Sequence, residues 1–286
     1  MRHVVLTSKH HDGFALFDSA CSDYDVMDAS PFKRDIVKEL SEACHKHGLK
    51  FGVYYSQAFD WADPDSSTYF EQESLKKIHP DLPQDRKPDV DAYIARKALP
   101  QIEELLTNYQ IDLIWFDTPR SITRERAVLF RDTVRRLNPD CIINSRLFSM
   151  AGASHTQVIT PEMLEIFDYI SLGDKEVPPK KLPLTTESPD SVSSSYGYRA
   201  DGNQRYHSLQ ELIQRLVHTV CAGGSYLLNC GPMGNGKIDP KAVELFSGMG
   251  DWIRDNRESI YDTEANPLPS RPEWGDASLS KDGKTL

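Results

Sequence analysis

Short apolar runs alternate with longer segments of helical period along most of this chain, which predicts repeated strand and helix units rather than a sandwich. Strands are predicted at 4–7, 49–56, 113–117, 141–145, 169–172, 184–187 and 225–229. Helices are predicted at 35–47, 90–109, 124–137, 161–167, 209–222 and 240–257. Leu212, Leu216 and Val220 recur at helical spacing and mark one buried stripe, while Gly48 and Gly223 fall where helix C-caps belong.

The expected fold class is therefore α/β, a (β/α)8-like TIM barrel. Seven strands are one short of closure, and the chain opens directly within a strand, so the first βα unit reads as missing. Pro267, Pro269 and Pro272 form a linker-like stretch, and 274–286 alternates like a strand that begins another domain. The expected organisation is a catalytic barrel over 1–262, followed by a linker and one further strand over 263–286.

Composition narrows the function more than the fold. The 286 residues are 39% hydrophobic and 27% charged, which suits one large core and argues against global disorder. A formal charge of −10 without a Lys/Arg block disfavours nucleic-acid and anionic-membrane partners. No apolar stretch approaches the ~20 residues that span a bilayer, and no secretory h-region precedes the first strand, so the compartment is left open. Cys21, Cys44, Cys141, Cys221 and Cys230 are odd in number and lack a CxxC pair, which favours free thiols over a disulfide framework or structural zinc.

Two strand ends carry the chemistry. Thr7-Ser-Lys-His-His-Asp-Gly-Phe14 and Leu113-Ile-Trp-Phe-Asp117 both close an apolar run with titratable side chains, as barrel strands do at the active face. Asp117 is a candidate nucleophile; the competing role is to cap the following helix, which Ser121 or Thr123 could do instead. His10 and His11 could donate hydrogen bonds to sugar hydroxyls, or could be one packed and one exposed histidine. His10 and His11 next to Asp12 also suggest a metal hydrolase using His10, Asp12 and Asp117, but adjacent strand residues point to opposite faces, so the two histidine rings would not share one ion. Tyr54 and Trp61, in an aromatic tract after the second strand, could line a carbohydrate pocket or the core. Arg146 could orient a carboxylate or form a surface salt bridge.

The motifs TSKHHDGFALFDS, KRDIVKEL, LKFGVYYSQAFDW, DLIWFD, INSR, ESPDSVSSSYGY and GGSYLLNCGPMGNGKI, in this order across nearly the whole chain, resemble glycoside hydrolase family 29, the retaining α-L-fucosidases. The resemblance implies hydrolysis of terminal α-L-fucose from a fucosylated oligosaccharide or glycoconjugate by double displacement, without metal or organic cofactor. It implies Asp117 as nucleophile, and His10, His11, Tyr54 and Arg146 as contacts to fucose or the nucleophile. Asp174 is the expected general acid/base. Glu187 stands where the family has a WE glutamate, here with Thr186 in place of the tryptophan and SYGY in place of SWGY; Glu176 is a third candidate. In a retaining enzyme the two carboxyls lie roughly 5 to 5.5 Å apart. Family members begin with an HWG-bearing strand and end in a β-sandwich, so only the start of that sandwich is expected here. Homo-oligomerisation would cover an open barrel edge. Family members are often secreted, periplasmic or lysosomal. The alternatives are a fucose-binding barrel with little turnover and a metal-dependent barrel hydrolase.

Overall fold

A computed structural model describes residues 1–67, 77, 79–83, 86–148, 163–178 and 180–286. They fall into two compact units that divide between Asp168 and Tyr169. Each is an α/β unit built on a parallel sheet.

The first unit contains β1 (His3–Lys9), β2 (Lys50–Tyr55), β3 (Leu113–Phe116) and β4 (Ile142–Ile143), hydrogen-bonded in that order. Its helices are α1 (Ile36–Lys46), α2 (Val90–Tyr93), α3 (Leu99–Asn108) and α4 (Arg124–Leu137), with a π-helical segment at Ile94–Ala98 joining α2 to α3. Asp35 caps α1 and Thr123 caps α4 by accepting from Lys38 and Arg126 backbone N–H groups. The capping role open to Asp117 thus goes to Thr123. Phe51, Val53, Tyr55, Ile114 and Phe116 of the sheet are buried with Val37, Ile102, Leu105, Phe130 and Val134 of the helices. Alternation along each strand sends Phe116 onto Phe130, with ring centroids 5.6 Å apart. Trp115 and Asp117 therefore share the opposite face.

The pairing of β1 with β2 is irregular at one point. Its register runs Thr7↔Tyr54 and then Lys9↔Tyr55, so Ser8 is an extra residue that turns Lys9 toward the helices. There its ammonium is fully buried, 3.2 Å from Asp60 and 2.9 Å from the Tyr93 hydroxyl, while Lys97 reaches the same carboxylate at 2.8 Å. Gly13 adopts φ +85°, and a Cβ there would meet Asp60 Oδ1 at 2.0 Å, so this turn needs glycine.

The second unit contains β5 (Ile170–Ser171), β6 (Thr186–Ser191) and β7 (Gly224–Asn229) in parallel order, with α5 (Leu209–Cys221), α6 (Pro240–Asp255) and the short α7 (Arg257–Ile260). A capping box between Ser208 and Glu211 starts α5. Leu212 and Leu216 of α5 pack with Ala242, Leu245 and Met249 of α6 over Val192. Gly48 and Gly223, at φ +70° and +82°, close α1 and α5 as their positions predicted.

Three expectations change. β6 is longer than the predicted 184–187 and carries the polar sequence Thr-Glu-Ser-Pro-Asp-Ser, buried throughout. The expected strand over 274–286 shortens to β9 (Leu279–Ser280), which pairs antiparallel with β8 (Thr263–Glu264). The helix expected at 161–167 lies partly outside the described residues, and 163–166 forms a turn. All five cysteines are unpaired, and no described helix is long and apolar enough to cross a membrane.

Candidate active site

The C-terminal ends of β1, β2 and β4 bring five of the expected residues, His10, His11, Tyr54, Trp61 and Arg146, together around Asp117 at the end of β3. Asp117 follows the last residue of β3, and its side chain is 16% exposed. Tyr54 donates its hydroxyl hydrogen to Oδ2 at 2.9 Å, and Arg146 Nη1 donates to Oδ1 at 2.8 Å. Burial pushes the Asp117 carboxyl up, yet the Arg146 charge and the hydrogen bonds from Arg146 and Tyr54 outweigh it and hold the group below the ordinary carboxylate range. Asp117 is thus an ionised carboxylate held by two donors on different oxygens, each of which retains a second lone pair. Arg146, expected either to orient a carboxylate or to lie on the surface, is 6% exposed and sits in the 3-10 turn Ser145–Leu147 after β4.

A layered stack supports this pair. His10 lies parallel to Tyr54 with ring centroids 5.2 Å apart, Tyr54 stacks on Trp115 at 5.5 Å, and the Arg146 guanidinium sits 4.8 Å from the Trp115 ring centre. Stacked rings with a capping cation fix orientation as well as burying area. Trp115 is one site residue that the sequence does not single out as a candidate; its i, i+2 spacing from Asp117 is the signal for it. Tyr55, by contrast, is fully buried in the core and donates to Gln101.

The two histidines differ. His10 is exposed, whereas His11 is 9% exposed, with Nδ1 2.7 Å from Ser56 Oγ. Ser56 spends its own hydrogen on the Phe59 carbonyl, so it accepts from His11 Nδ1–H and leaves His11 Nε2 as an acceptor. Thr118 Oγ1 lies 3.4 Å from that nitrogen. Burial, aided by the charge of His10, pushes His11 down to about 4, so the ring is neutral near pH 7. Burial alone divides the pair into one packed and one exposed histidine, but both are held against the Asp117 cluster. Trp61 donates its backbone N–H to His11 O at 2.7 Å, and its indole rests edge-on to the His11 ring. The Trp61 Nε1–H is buried with no hydrogen-bond partner among the described residues.

The remaining expected residues lie in the second unit. Asp174 is exposed, on a turn three residues past the end of β5. Glu176 turns back to accept from Gly173 N–H at 2.9 Å, and Lys175, at φ +61°, donates to Ser194 O at 2.7 Å. Glu187 is 3% exposed on β6, in register with Ser171, which donates to it at 3.3 Å. Among the described residues no group of three or more His, Cys, Asp or Glu is placed to hold a metal ion.

A family model described as α-L-fucosidase matches residues 1–258. Human plasma α-L-fucosidase is 32% identical over 92% of this chain and 52% of its own length; human tissue α-L-fucosidase is 29% identical over 96% and 54%. The chain spans about half the length of these curated relatives. Among solved structures, α-L-fucosidase isoenzyme 1 from Paenibacillus thiaminolyticus superposes with a TM-score of 0.84 at 32% identity, covering 98% of this chain and 66% of that one. α-L-Fucosidase AlfC from Lactobacillus casei, solved with α-L-fucose product, gives 0.75 at 35% identity over 90% and 76%. With a match across most of its length and a carboxylate site built at the strand ends, the chain belongs to the α-L-fucosidase family of glycoside hydrolases.

Proposed function

We propose that the chain is the catalytic part of a retaining α-L-fucosidase. In this reading its two parallel sheets belong to a (β/α)8-like barrel over 1–262, and 263–286 opens a C-terminal β-sandwich. The observation that carries the reading is Asp117, ionised and held by Arg146 and Tyr54 at the end of β3. That is what a glycosidase nucleophile requires: full charge, a fixed aim and an available lone pair toward the sugar.

Asp117 attacks the anomeric carbon of the fucosyl residue as the bond to the leaving oxygen breaks. Asp174, on its exposed turn beyond the sheet, supplies the proton to that oxygen and later takes one from the water that releases fucose. Glu187, on β6, orients the ring, and Glu176, committed to Gly173 N–H, is the weaker acid candidate. His11 Nε2 accepts from one sugar hydroxyl, while His10 and the unpartnered Trp61 Nε1–H donate to others. No step of this chemistry calls for a metal or organic cofactor.

The substrate class is a terminal α-L-fucoside on a glycan. A single-substitution variant of AlfC has been solved with Fuca(1,6)GlcNAc and with 4-nitrophenyl-α-L-fucopyranoside, which supports fucosylated glycans as partners here by likeness. The test is hydrolysis of the nitrophenyl fucoside, with a 2-deoxy-2-fluoro fucosyl fluoride as trap. The expected result is release of nitrophenol and a fucosyl adduct on the peptide containing Asp117. An adduct elsewhere overturns the assignment, and fucose binding without turnover favours a lectin-like barrel.

A further inference from the structure

Gln57 stands two residues beyond β2 and is fully buried, although nothing in the chemistry above uses it. Its carboxamide makes three hydrogen bonds. Oε1 accepts from Asp117 N–H at 3.0 Å, and Nε2 donates to the carbonyls of Arg146 at 3.0 Å and Leu147 at 3.1 Å. The partners settle the orientation of the amide, since an N–H requires the oxygen and two carbonyls require the nitrogen. One side chain just beyond β2 thereby holds the backbone of the proposed nucleophile and the backbone of the arginine that neutralises it.

The regular ladder does not do this. Pairing between β3 and β4 covers only Leu113↔Ile142 and Ile114↔Ile143. One step further on, the Asn144 side chain replaces the ladder, accepting from Phe116 N–H and donating to Phe116 O, both at 2.9 Å. Beyond Phe116 and Asn144 the two segments continue as a loop and a 3-10 turn, and Gln57 bridges them there. A buried amide is costly unless satisfied, and this one commits both of its hydrogens to the Arg146 turn. An apolar residue of the same size would fill the space without fixing either backbone.

We propose that Gln57 is a positioning residue of the hydrolysis, whose carboxamide sets the separation and mutual orientation of Asp117 and Arg146. The inference rests on Asp117 being the nucleophile. It gains support from electrostatics, because Arg146 supplies the largest of the influences that offset the burial of Asp117, so loosening the clamp weakens that offset. The other titratable groups facing Asp117 are Tyr54, His11 and His10.

Gln57→Met keeps the length and removes all three hydrogen bonds. Gln57→Asn keeps a neutral carboxamide but shortens it by one methylene, so it cannot span all three partners, and serves if the methionine variant does not fold. In either folded variant kcat/KM on the nitrophenyl fucoside is expected to fall on the order of 10²-fold, chiefly in kcat, as for a reacting group displaced by about 1 Å. The acid limb of the pH profile is expected to move to higher pH, as is the 13C carboxyl titration of Asp117, a readout that needs no turnover. A folded variant with wild-type kcat/KM and an unmoved limb overturns the clamp, as does a lower thermal midpoint with a wild-type profile in the folded fraction. If the wild type does not hydrolyse fucosides, the fucosidase reading fails. The carboxyl titration alone then decides the clamp.

Discussion

The two units each hold an aspartate between a tyrosine and an arginine, and the two trios differ in what they leave accessible. In the first, Tyr54 and Arg146 take different oxygens of Asp117, whose side chain is 16% exposed. In the second, Tyr226 at 2.8 Å and Arg215 at 2.7 Å converge on Oδ2 of Asp190, Ser191 N–H takes Oδ1 at 2.7 Å, and the side chain is 2% exposed. The partner types match, but their placement does not. Asp117 keeps part of its side chain exposed, with a neutral imidazole and aromatic rings alongside, whereas Asp190 is closed in on β6 and ties that strand to α5 and β7. A charged trio marks an active site only where a lone pair remains addressable by a ligand.

The sharpest way to break this comparison is to remove both carboxylates in turn. Asp117→Asn keeps the shape and the acceptor oxygen, so the chain should fold while fucoside hydrolysis falls on the order of 10⁴-fold or more if Asp117 is the covalent nucleophile proposed above. Asp190→Ala should do the reverse: a loss of about 2–4 kcal/mol in denaturant unfolding, with normal kcat/KM per folded molecule. That figure lies below the full cost of breaking a buried pair because the Arg215 guanidinium reaches water. Equal losses of activity in the two variants would erase the distinction.

The same contrast explains what could be read from the sequence. Leu113-Ile-Trp-Phe-Asp117 was legible because an apolar run with a terminal carboxylate has few other readings, and α4 was legible because Thr123 and an amphipathic stripe bound it. β6 was misjudged at its far end because Ser188-Pro-Asp-Ser191 has the composition of a loop. It is a buried strand only because Tyr226, Arg215 and Thr219, distant in sequence, satisfy its polar groups. Asp190 was invisible for that reason. Gln57 was missed on a related ground: no periodicity governs a residue past a strand end, and its three partners are at least 60 positions away. Arg146 was placed at the correct strand end, but its burial depends on Trp115 and Asp117.

A smaller effect separates the tyrosines. A hydrogen bond to a charged group contributes about 1.5–3 kcal/mol. Tyr54→Phe is therefore expected to lower kcat/KM roughly 10- to 100-fold, and to raise the acid limb because a donor that favours the ionised form of Asp117 is gone. Tyr226→Phe should cost stability within about the same range of energies and leave the pH profile in place. A shifted acid limb in the second variant would mean that Asp190 communicates with the reaction.

The smallest effect concerns the imidazole beside the first trio. His11 is held down to about 4 by burial, then by the charges of His10 and Lys9, against the opposing pull of Asp117. Unfolded, it protonates near pH 6.5. Between about pH 4 and 6.5 the unfolded chain therefore binds the extra proton, so the contribution of His11 to stability is complete above that window and is lost as pH falls through it. Asp117, whose value is also lowered, loses its contribution only below the unfolded carboxylate value near 3.9. Acid weakening of the first unit should thus begin with His11 and end with Asp117. Unfolding midpoints measured from pH 7 to 4 should decline, His11→Asn should flatten that decline, and the His11 ring carbon resonance should stay constant from pH 8 to 5. A His11 resonance that titrates near 6.5 would show a protonated donor at Nε2 in place of the acceptor that Ser56 imposes.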